Sequence, residues 1–535
     1  MKSQARVRHR RRVLCVFPRY VPSFGTFQHA YPLMDGVRAF MPPQGILVIA
    51  AYLPAAWDVR FVDENIRRTS AAEFEWCDAV FVSGMHVQKG EINGIAWRAR
   101  SFGKTTVLGG PSVSAAPDEY EGFDYLHLGE LGDATDALIE ALDDDPSPPP
   151  AQRRFETKER LPLSEFPIPA YRLIDGRRYF LGSVQFSSGC PYRCEFCDIP
   201  ALYGRQPRLK TPEQVVAELD ALLDAGIAGS IYFVDDNFIG NKKAARALLP
   251  HVIAWQKRRG YALQLSCEAT LNIARCPDIL AMMREAYFCT VFCGIETPEL
   301  EALGAIRKSH NGVMPLLDAI ATINRHGIEV VSGIILGLDT DTSASADRLI
   351  DFIDRSHIPL LTINLLQALP RTPLWDRLAA AGRLSFDERR ESNVVFTRPY
   401  GEVLGDWQRA IRHAFQPEAI YARFDWQTRH TYPNRIRPPL SRARVSRRNL
   451  RRAVVTLANL LVRVGIRADY RRIFWRMAYA ALRRGRIEEL IQIALISHHM
   501  IVFARECAEG LQNASFYADR PNPAPETVEP LATQP

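Results

Sequence analysis

The sequence predicts an α/β chain in three parts: a doubly wound (Rossmann-like) parallel sheet, a partial (β/α)6 barrel and a mainly helical end. Three observations predict it. Short runs rich in Val, Phe and Leu alternate with helical stretches through the first 145 residues. Six more such units follow a proline-rich break, and the strands then stop near Ser385. Strand–helix alternation marks parallel sheets covered by helices. At 535 residues the chain is also too long for one ordinary core.

In the first domain, residues 1–145, strands are expected at Val13–Phe17, Val59–Val62, Ala79–Ser83, Thr106–Gly109 and Tyr125–Leu128. Helices are expected near Gln44–Leu53, Lys89–Arg100 and Asp133–Leu142. Ligands of doubly wound folds sit at the carboxyl ends of the strands. Those ends are Ser83-Gly84, Gly109-Gly110-Pro111 and Gly129-Glu130. Small residues there let a large flat ligand approach the backbone. Residues 146–175, opening within the acidic, proline-rich run Asp143–Pro150, read as a linker.

The second domain, 176–385, has expected strands at Ser183–Ser188, Ser230–Val234, Leu263–Glu268, Val291–Gly294, Glu329–Ile335 and Leu361–Gln367. Pro212–Ala225 and Lys242–Arg259 are among the helices between them. A barrel of this kind carries its chemistry on the loops after the strands. Residues 386–519 read as an Arg-rich helical region, and 520–535 as a polar, disordered tail.

Hydrophobic residues at 47% and charged residues at 24% are the balance of a folded soluble protein. The basic start, Arg6 to Arg12, leads straight into a strand, so no secretory signal is expected. No run reaches eighteen or so uninterrupted apolar residues; Leu490–Ala504 is broken by His498 and His499. A cytoplasmic protein that does not span a bilayer is expected. The net charge of +7 is unevenly spread. Between Arg435 and Arg486 stand sixteen arginines and one acidic residue, Asp469, a net +15, so the rest stands at −8. Such a block calls for an anionic partner or surface.

Ten cysteines are too few for a disulfide scaffold, yet three crowd into eight residues as Cys190-Pro-Tyr-Arg-Cys194-Glu-Phe-Cys197. Thiolates at C-x3-C-x2-C spacing, directly after a strand, suit an iron–sulfur cluster. Three of them hold three corners of a cubane and leave one iron open to a chelating small molecule. Structural zinc would need a fourth ligand, and no Cys or His is adjacent. Cys289 and Cys293 read as buried strand cysteines.

This motif, with Phe196 before its last Cys, resembles the radical S-adenosylmethionine superfamily. The resemblance implies a 4Fe–4S cluster on Cys190, Cys194 and Cys197 that binds and reductively cleaves S-adenosylmethionine. It also implies contacts to that molecule from Asp236 in Asp235-Asp236-Asn237, from Glu268, from Glu296 in Gly294-Ile295-Glu296, and from Gly333 in the Gly333–Gly337 strand. A barrel-rim ion pair or a helix cap is the other reading of each carboxylate. An electron donor such as flavodoxin or ferredoxin is implied; no general acid or base stands out.

A doubly wound domain ahead of such a barrel resembles the cobalamin-binding class, whose Pro-Pro-x-Gly turn is matched by Pro42-Pro43-Gln44-Gly45. Gly45, Ser83, Gly84, Gly109, Gly110, Gly129 and Glu130 are then the implied cobalamin contacts. No Asp-x-His-x-x-Gly loop is present, which implies a corrinoid without a protein His below cobalt. A generic Rossmann domain is the alternative, though no G-x-G-x-x-G occurs for a dinucleotide.

The two cofactors together imply methylation of an unactivated carbon. As a whole the chain resembles the bacterial hopanoid C-2 methylases, including Ile199-Pro-Ala-Leu-Tyr-Gly204 and the Arg-rich end. A polycyclic lipid substrate and a peripheral place on the inner membrane are implied. Arg447–Arg463 and Arg471–Arg486 interleave Arg with apolar residues, Phe474 and Trp475 among them, as interfacial helices do. Arg447, Arg448, Arg451 and Arg452 are then expected to hold an anionic leaflet, whereas a packed or solvated face would have no such partner. An RNA-modifying enzyme, one acting on another isoprenoid, or a non-enzymatic carrier remain the rivals. Few aromatics in the basic block weigh against nucleic acid, and a six-unit barrel against a carrier.

Overall fold

The computed structural model describes residues 7–387, 389–439, 447–483 and 485–512, without the side chains of Arg447 and Arg448. The first sheet contains β1 (Arg12–Phe17), β2 (Asp58–Asp63), β3 (Ala79–Ser83), β4 (Thr105–Gly109), β5 (Tyr125–Leu128) and β6 (Arg153–Glu156). All pairs are parallel, in the order β2-β1-β3-β4-β5-β6. That order reverses between β1 and β3, where ligands of doubly wound folds lie. β1 is buried along nearly its whole length, as a central parallel strand must be.

The stretch read as a linker supplies β6, so that reading is corrected. Arg-Arg-Phe-Glu carries no strand-like alternation and stays largely exposed, because it is an edge that needs only one neighbour.

The second sheet begins with β7 (Gly182–Val184), and a small antiparallel pair follows, β8 (Ser187–Ser188) with β9 (Arg208–Leu209). Then come β10 (Gly229–Phe233), β11 (Leu263–Glu268), β12 (Phe288–Glu296), β13 (Glu329–Leu336) and β14 (Leu361–Leu365). The order β7-β10-β11-β12-β13-β14 is the six-stranded partial barrel that the sequence predicts. The expected strand Ser183–Ser188 is broken in two. Asp235 accepts the amides of Phe186 and Ser187 and the Ser187 hydroxyl, taking donors that a ladder would use.

Helices between the strands start where caps permit. Thr211 and Gln214 exchange side-chain bonds to each other's amides ahead of Pro212–Asp224. Beyond the barrel run Tyr400–Ala414, Pro417–His430, Arg447–Val462, Arg471–Arg483 and Ile487–Ala508. Trp407 fastens the first of them to the barrel through a 2.9 Å bond to the Ile363 carbonyl. Among the described residues, Ile487–Ala508 alone is long and apolar enough to cross a membrane. Here it is a core helix, with Met500, Ile501 and Phe503 buried and Phe503 edge-on to Phe24 at 4.9 Å.

One apolar core runs from the inner face of the first sheet through the barrel into these helices; a second lies on the sheet's outer face around Leu14, Val16, Val80 and Val82. The Pro42-Pro43-Gln44-Gly45 turn fastens the two domains. Gln44 donates to the Ser183 carbonyl at 2.5 Å, and the Ser183 hydroxyl donates to the Pro42 carbonyl at 2.6 Å.

Candidate active site

Gly189 turns the chain out of β8 with φ +97°. A Cβ there would stand 2.9 Å from the Gly204 carbonyl, so only glycine fits. The cysteine loop that follows is pinned from several sides. Gly189 N donates to Asp236 at 2.6 Å, and Cys190 N donates to the Gly204 carbonyl at 3.2 Å. Glu195 donates its amide to Ile306, accepts the amide of Leu374, and holds Arg377 at 2.6 Å. Tyr192 stacks on His310 at 3.7 Å and accepts a 2.6 Å bond from Asn272. Burial pushes all three thiols up, Cys197 most strongly, and the charge of Cys190 adds to the rise at Cys194 and Cys197. Among the described residues no three His, Cys, Asp or Glu converge on a single ion. A cubane does not ask for that, since each thiolate takes a different iron. Three soft donors on one pinned loop fit the cluster.

A cavity of about 1340 Å³ lies between the carboxyl ends of the first sheet, the barrel interior and the C-terminal helices. Ordinary ligand pockets measure ~300–1,000 Å³, so this one has room for more than one body. Gly45, Ser83, Gly84, Gly109, Gly110, Gly129, Glu130, Asp236 and Glu268 all reach its wall. Glu296, Gly333 and the three cysteines do not, and stand behind it.

The glycines differ in what they permit. Gly110 has φ +96° and a Cβ there would stand 2.5 Å from the Ser83 hydroxyl. At Gly109 the nearest atom would be 3.8 Å away. Gly109→Val therefore adds a side chain to the cavity wall without straining the backbone. Expected is folded protein, shown by unchanged circular dichroism, that fails to take up hydroxocobalamin; full uptake would show that Gly109 is no cobalamin contact.

The histidine in this wall, His127, is buried, bonded to Thr135 at 2.8 Å and held neutral, its pKa lowered to about 4 by burial. The carboxylates separate into two roles. Asp235, raised to about 7 by burial, is spent on backbone amides. Asp236 and Glu268, raised by burial to about 6 and about 7, face the cavity, and Tyr232 donates to Glu268 at 3.1 Å. Glu130 is tied up by Arg208 at 2.5 Å and by Arg160 at 3.3 Å, so it braces the two domains as well as reaching the cavity. Gly333 lies against the Phe292 ring and Gly337 against Phe396. Sequence reasoning missed Lys308, which is buried against Glu296 at 2.5 Å with its ammonium 5.5 Å above the Phe196 ring. It stands in no periodic pattern that could have signalled it.

The basic end departs from expectation. Phe474 is buried, not free to insert, because it faces Gly465 in the preceding turn; Trp475 remains 43% exposed. Arg451 lies 3.6 Å from Asp35, and Arg452 lines the cavity. The side chains of Arg447 and Arg448 lie outside the described residues.

Comparison with known proteins agrees with this geometry. Residues 32–139 match the B12 binding domain, 184–353 the radical SAM superfamily and 372–513 a domain of unknown function. The chain is 59% identical over 510 residues to the hopanoid C-2 methylase of Rhodopseudomonas palustris, covering 95% of this chain and 97% of that one. It is 33% identical over 503 residues to an uncharacterized methyltransferase of Synechocystis, covering 91% and 90%. Two solved structures share the fold. The cobalamin-dependent S-adenosylmethionine radical enzyme OxsB, with aqua-cobalamin and S-adenosylmethionine bound, has a TM-score of 0.57 at 14% identity, over 94% of this chain and 80% of that one. The radical S-adenosylmethionine methyltransferase TsrM from Kitasatospora setae has 0.54 at 17%, over 91% and 99%. Fold and site define a cobalamin-dependent radical S-adenosylmethionine methyltransferase. Within that class, the chain belongs to the family of the hopanoid C-2 methylase.

Proposed function

We propose that this enzyme methylates the C-2 position of a hopanoid, an unactivated carbon of a polycyclic triterpenoid lipid. The observation that carries this is likeness along the whole chain, including the C-terminal helices that close the cavity. Had only the cofactor domains been alike, the substrate would not follow. Phe40, Phe180, Phe424, Ile491 and Leu495 are among the apolar side chains lining the cavity, as a lipid requires and an RNA base with its phosphates does not.

Cys190, Cys194 and Cys197 would hold the cluster, and Asp236 and Glu268 would orient S-adenosylmethionine from the cavity side. Glu296 and Gly333 would act from behind the wall, through Lys308 and the strand backbone. Gly45, Ser83, Gly84, Gly109, Gly110 and Gly129 would cradle the corrinoid, with Glu130 bracing the rim. When bound, these groups supply a hydrogen-abstracting radical and a transferable methyl group; a donor such as flavodoxin or ferredoxin supplies electrons. The chain's own task is to place both groups on either side of one substrate carbon and to keep water out. The lipid would be collected at the cytoplasmic face of the inner membrane.

Expressing the gene in a hopanoid-producing host that lacks 2-methylhopanoids tests this. The expected result is one added methyl on ring A, located by mass spectrometry. Hopanoids left unmodified by a protein that cleaves S-adenosylmethionine would overturn the substrate assignment.

A further inference from the structure

Eight of the sixteen large apolar side chains exposed among the described residues lie between 450 and 487. Scattered single apolar residues on a surface need no explanation, whereas such side chains gathered on one stretch mark interaction sites. On the Arg447–Val462 helix the exposure is ordered. Leu450, Val454, Ala458 and Val462 recur every fourth residue, which places them on one helical face, and all four are exposed. Ile466, 65% exposed, continues the row. In the first half of the helix the opposite face is polar, and Asn449, Arg452 and Thr456 line the cavity. This is inside out. A helix on a soluble surface turns its apolar stripe to the core and its polar face to water.

The next helix extends the patch with exposed Trp475, Tyr479 and Leu482. The Trp475 indole donates to the Gly465 carbonyl at 2.8 Å, which joins the two surfaces. Exposed arginines flank them at 451, 463, 467, 471, 472 and 476. The cavity also surfaces here. Leu450, Ala453, Gly229, Glu488 and Gln492 are exposed and at the same time line it.

We propose that the outward face of the Arg447–Val462 helix inserts into the headgroup–acyl boundary of an anionic bilayer, setting the cavity mouth against the leaflet. Arginines beside an apolar stripe fit such a surface, their stems in the apolar layer and their guanidinium groups on lipid phosphates. A lipid substrate then passes from leaflet to barrel along the helix without crossing water. The passage rests on the lipid reading above; the docking does not.

The test uses the full-length protein and vesicles of equal parts phosphatidylcholine and phosphatidylglycerol. Wild type should co-sediment, less so in high salt. The triple variant Val454→Gln, Val462→Gln, Ile466→Gln, none of which lines the cavity, should bind about tenfold more weakly or worse. Trp97→Gln, at an exposed apolar site on the first domain, should bind as wild type does. Both should methylate detergent-dispersed hopanoid at the wild-type rate, which shows that they fold. Failure of wild type to bind, or binding by the triple variant equal to wild type, would overturn the docking. So would a wild-type dimer that the triple variant breaks, since the face would then join subunits. Vesicle binding by a wild type that methylates no hopanoid would leave the docking standing and remove the substrate assignment instead.

Discussion

Replacing any one of Cys190, Cys194 or Cys197 with Ala should abolish the brown chromophore and all cleavage of S-adenosylmethionine. Each thiolate would hold its own iron, and an open fourth iron would exist only while the other three are held. The loop cannot recruit a substitute. Its backbone is fixed through Gly189, Glu195 and the Gly204 carbonyl, and the other seven cysteines are buried elsewhere in the fold. Cys293 makes the comparison sharp. It sits fully buried in β12, its thiol pushed up to about 12 by burial, and so remains a protonated core group. Cys293→Ala should retain iron and cleavage. Anaerobic reconstitution, iron analysis and chromatographic detection of 5′-deoxyadenosine decide the matter; full cleavage by a variant of the three would remove the cluster from this loop.

The contrast between these cysteines was legible in the sequence because spacing alone separates a ligand loop from a strand. Much of the fold was legible for a similar reason. β1 and β3 are buried on both faces and therefore read as near-continuous apolar runs. β6 was hidden because an edge strand with charged side chains looks like linker. The break at Phe186 was hidden because its cause, Asp235, lies nearly fifty residues away.

The site divides along the same line. Glycines at strand ends could be placed from sequence, since the topology of a doubly wound sheet dictates where those ends meet. Which of them a side chain would crowd could not, because the crowding atoms belong to other segments: Ser83 for Gly110, Thr157 for Gly129. The Arg-rich helix shows the limit most clearly. Leu450, Val454, Ala458 and Val462 have the spacing of a buried face, and nothing local says that they point outward. The interleaved arginines suggest an interfacial helix, but only the tertiary packing, with Asn449 and Arg452 turned to the cavity, fixes which face points outward.

Lys308→Met should cost about 3–5 kcal/mol of stability, the usual penalty for leaving one member of a buried ion pair alone. Glu296 ends β12 at φ +67°, a left-handed conformation rare outside glycine, where the pairing with β13 slips. Its carboxylate and the Lys308 ammonium are each only 9% exposed. They lie across Gly294, where a Cβ would stand 2.3 Å from the Glu296 oxygen and 2.7 Å from the Lys308 nitrogen. Without the ammonium, the carboxylate keeps its burial and loses its counter-charge. The double variant Glu296→Met, Lys308→Met leaves no charge to solvate and should recover most of the loss, since apolar pairs of similar volume often replace buried ion pairs well. Denaturant unfolding of the two variants and wild type measures both quantities; equal loss in single and double variants would mean that packing, not charge, is what Lys308 provides. The pair sits directly beneath the cysteine loop, with Lys308 over Phe196 between Cys194 and Cys197. The single variant should therefore also release iron faster than the double, because an uncompensated carboxylate beside three thiolates repels the charge that the cluster adds.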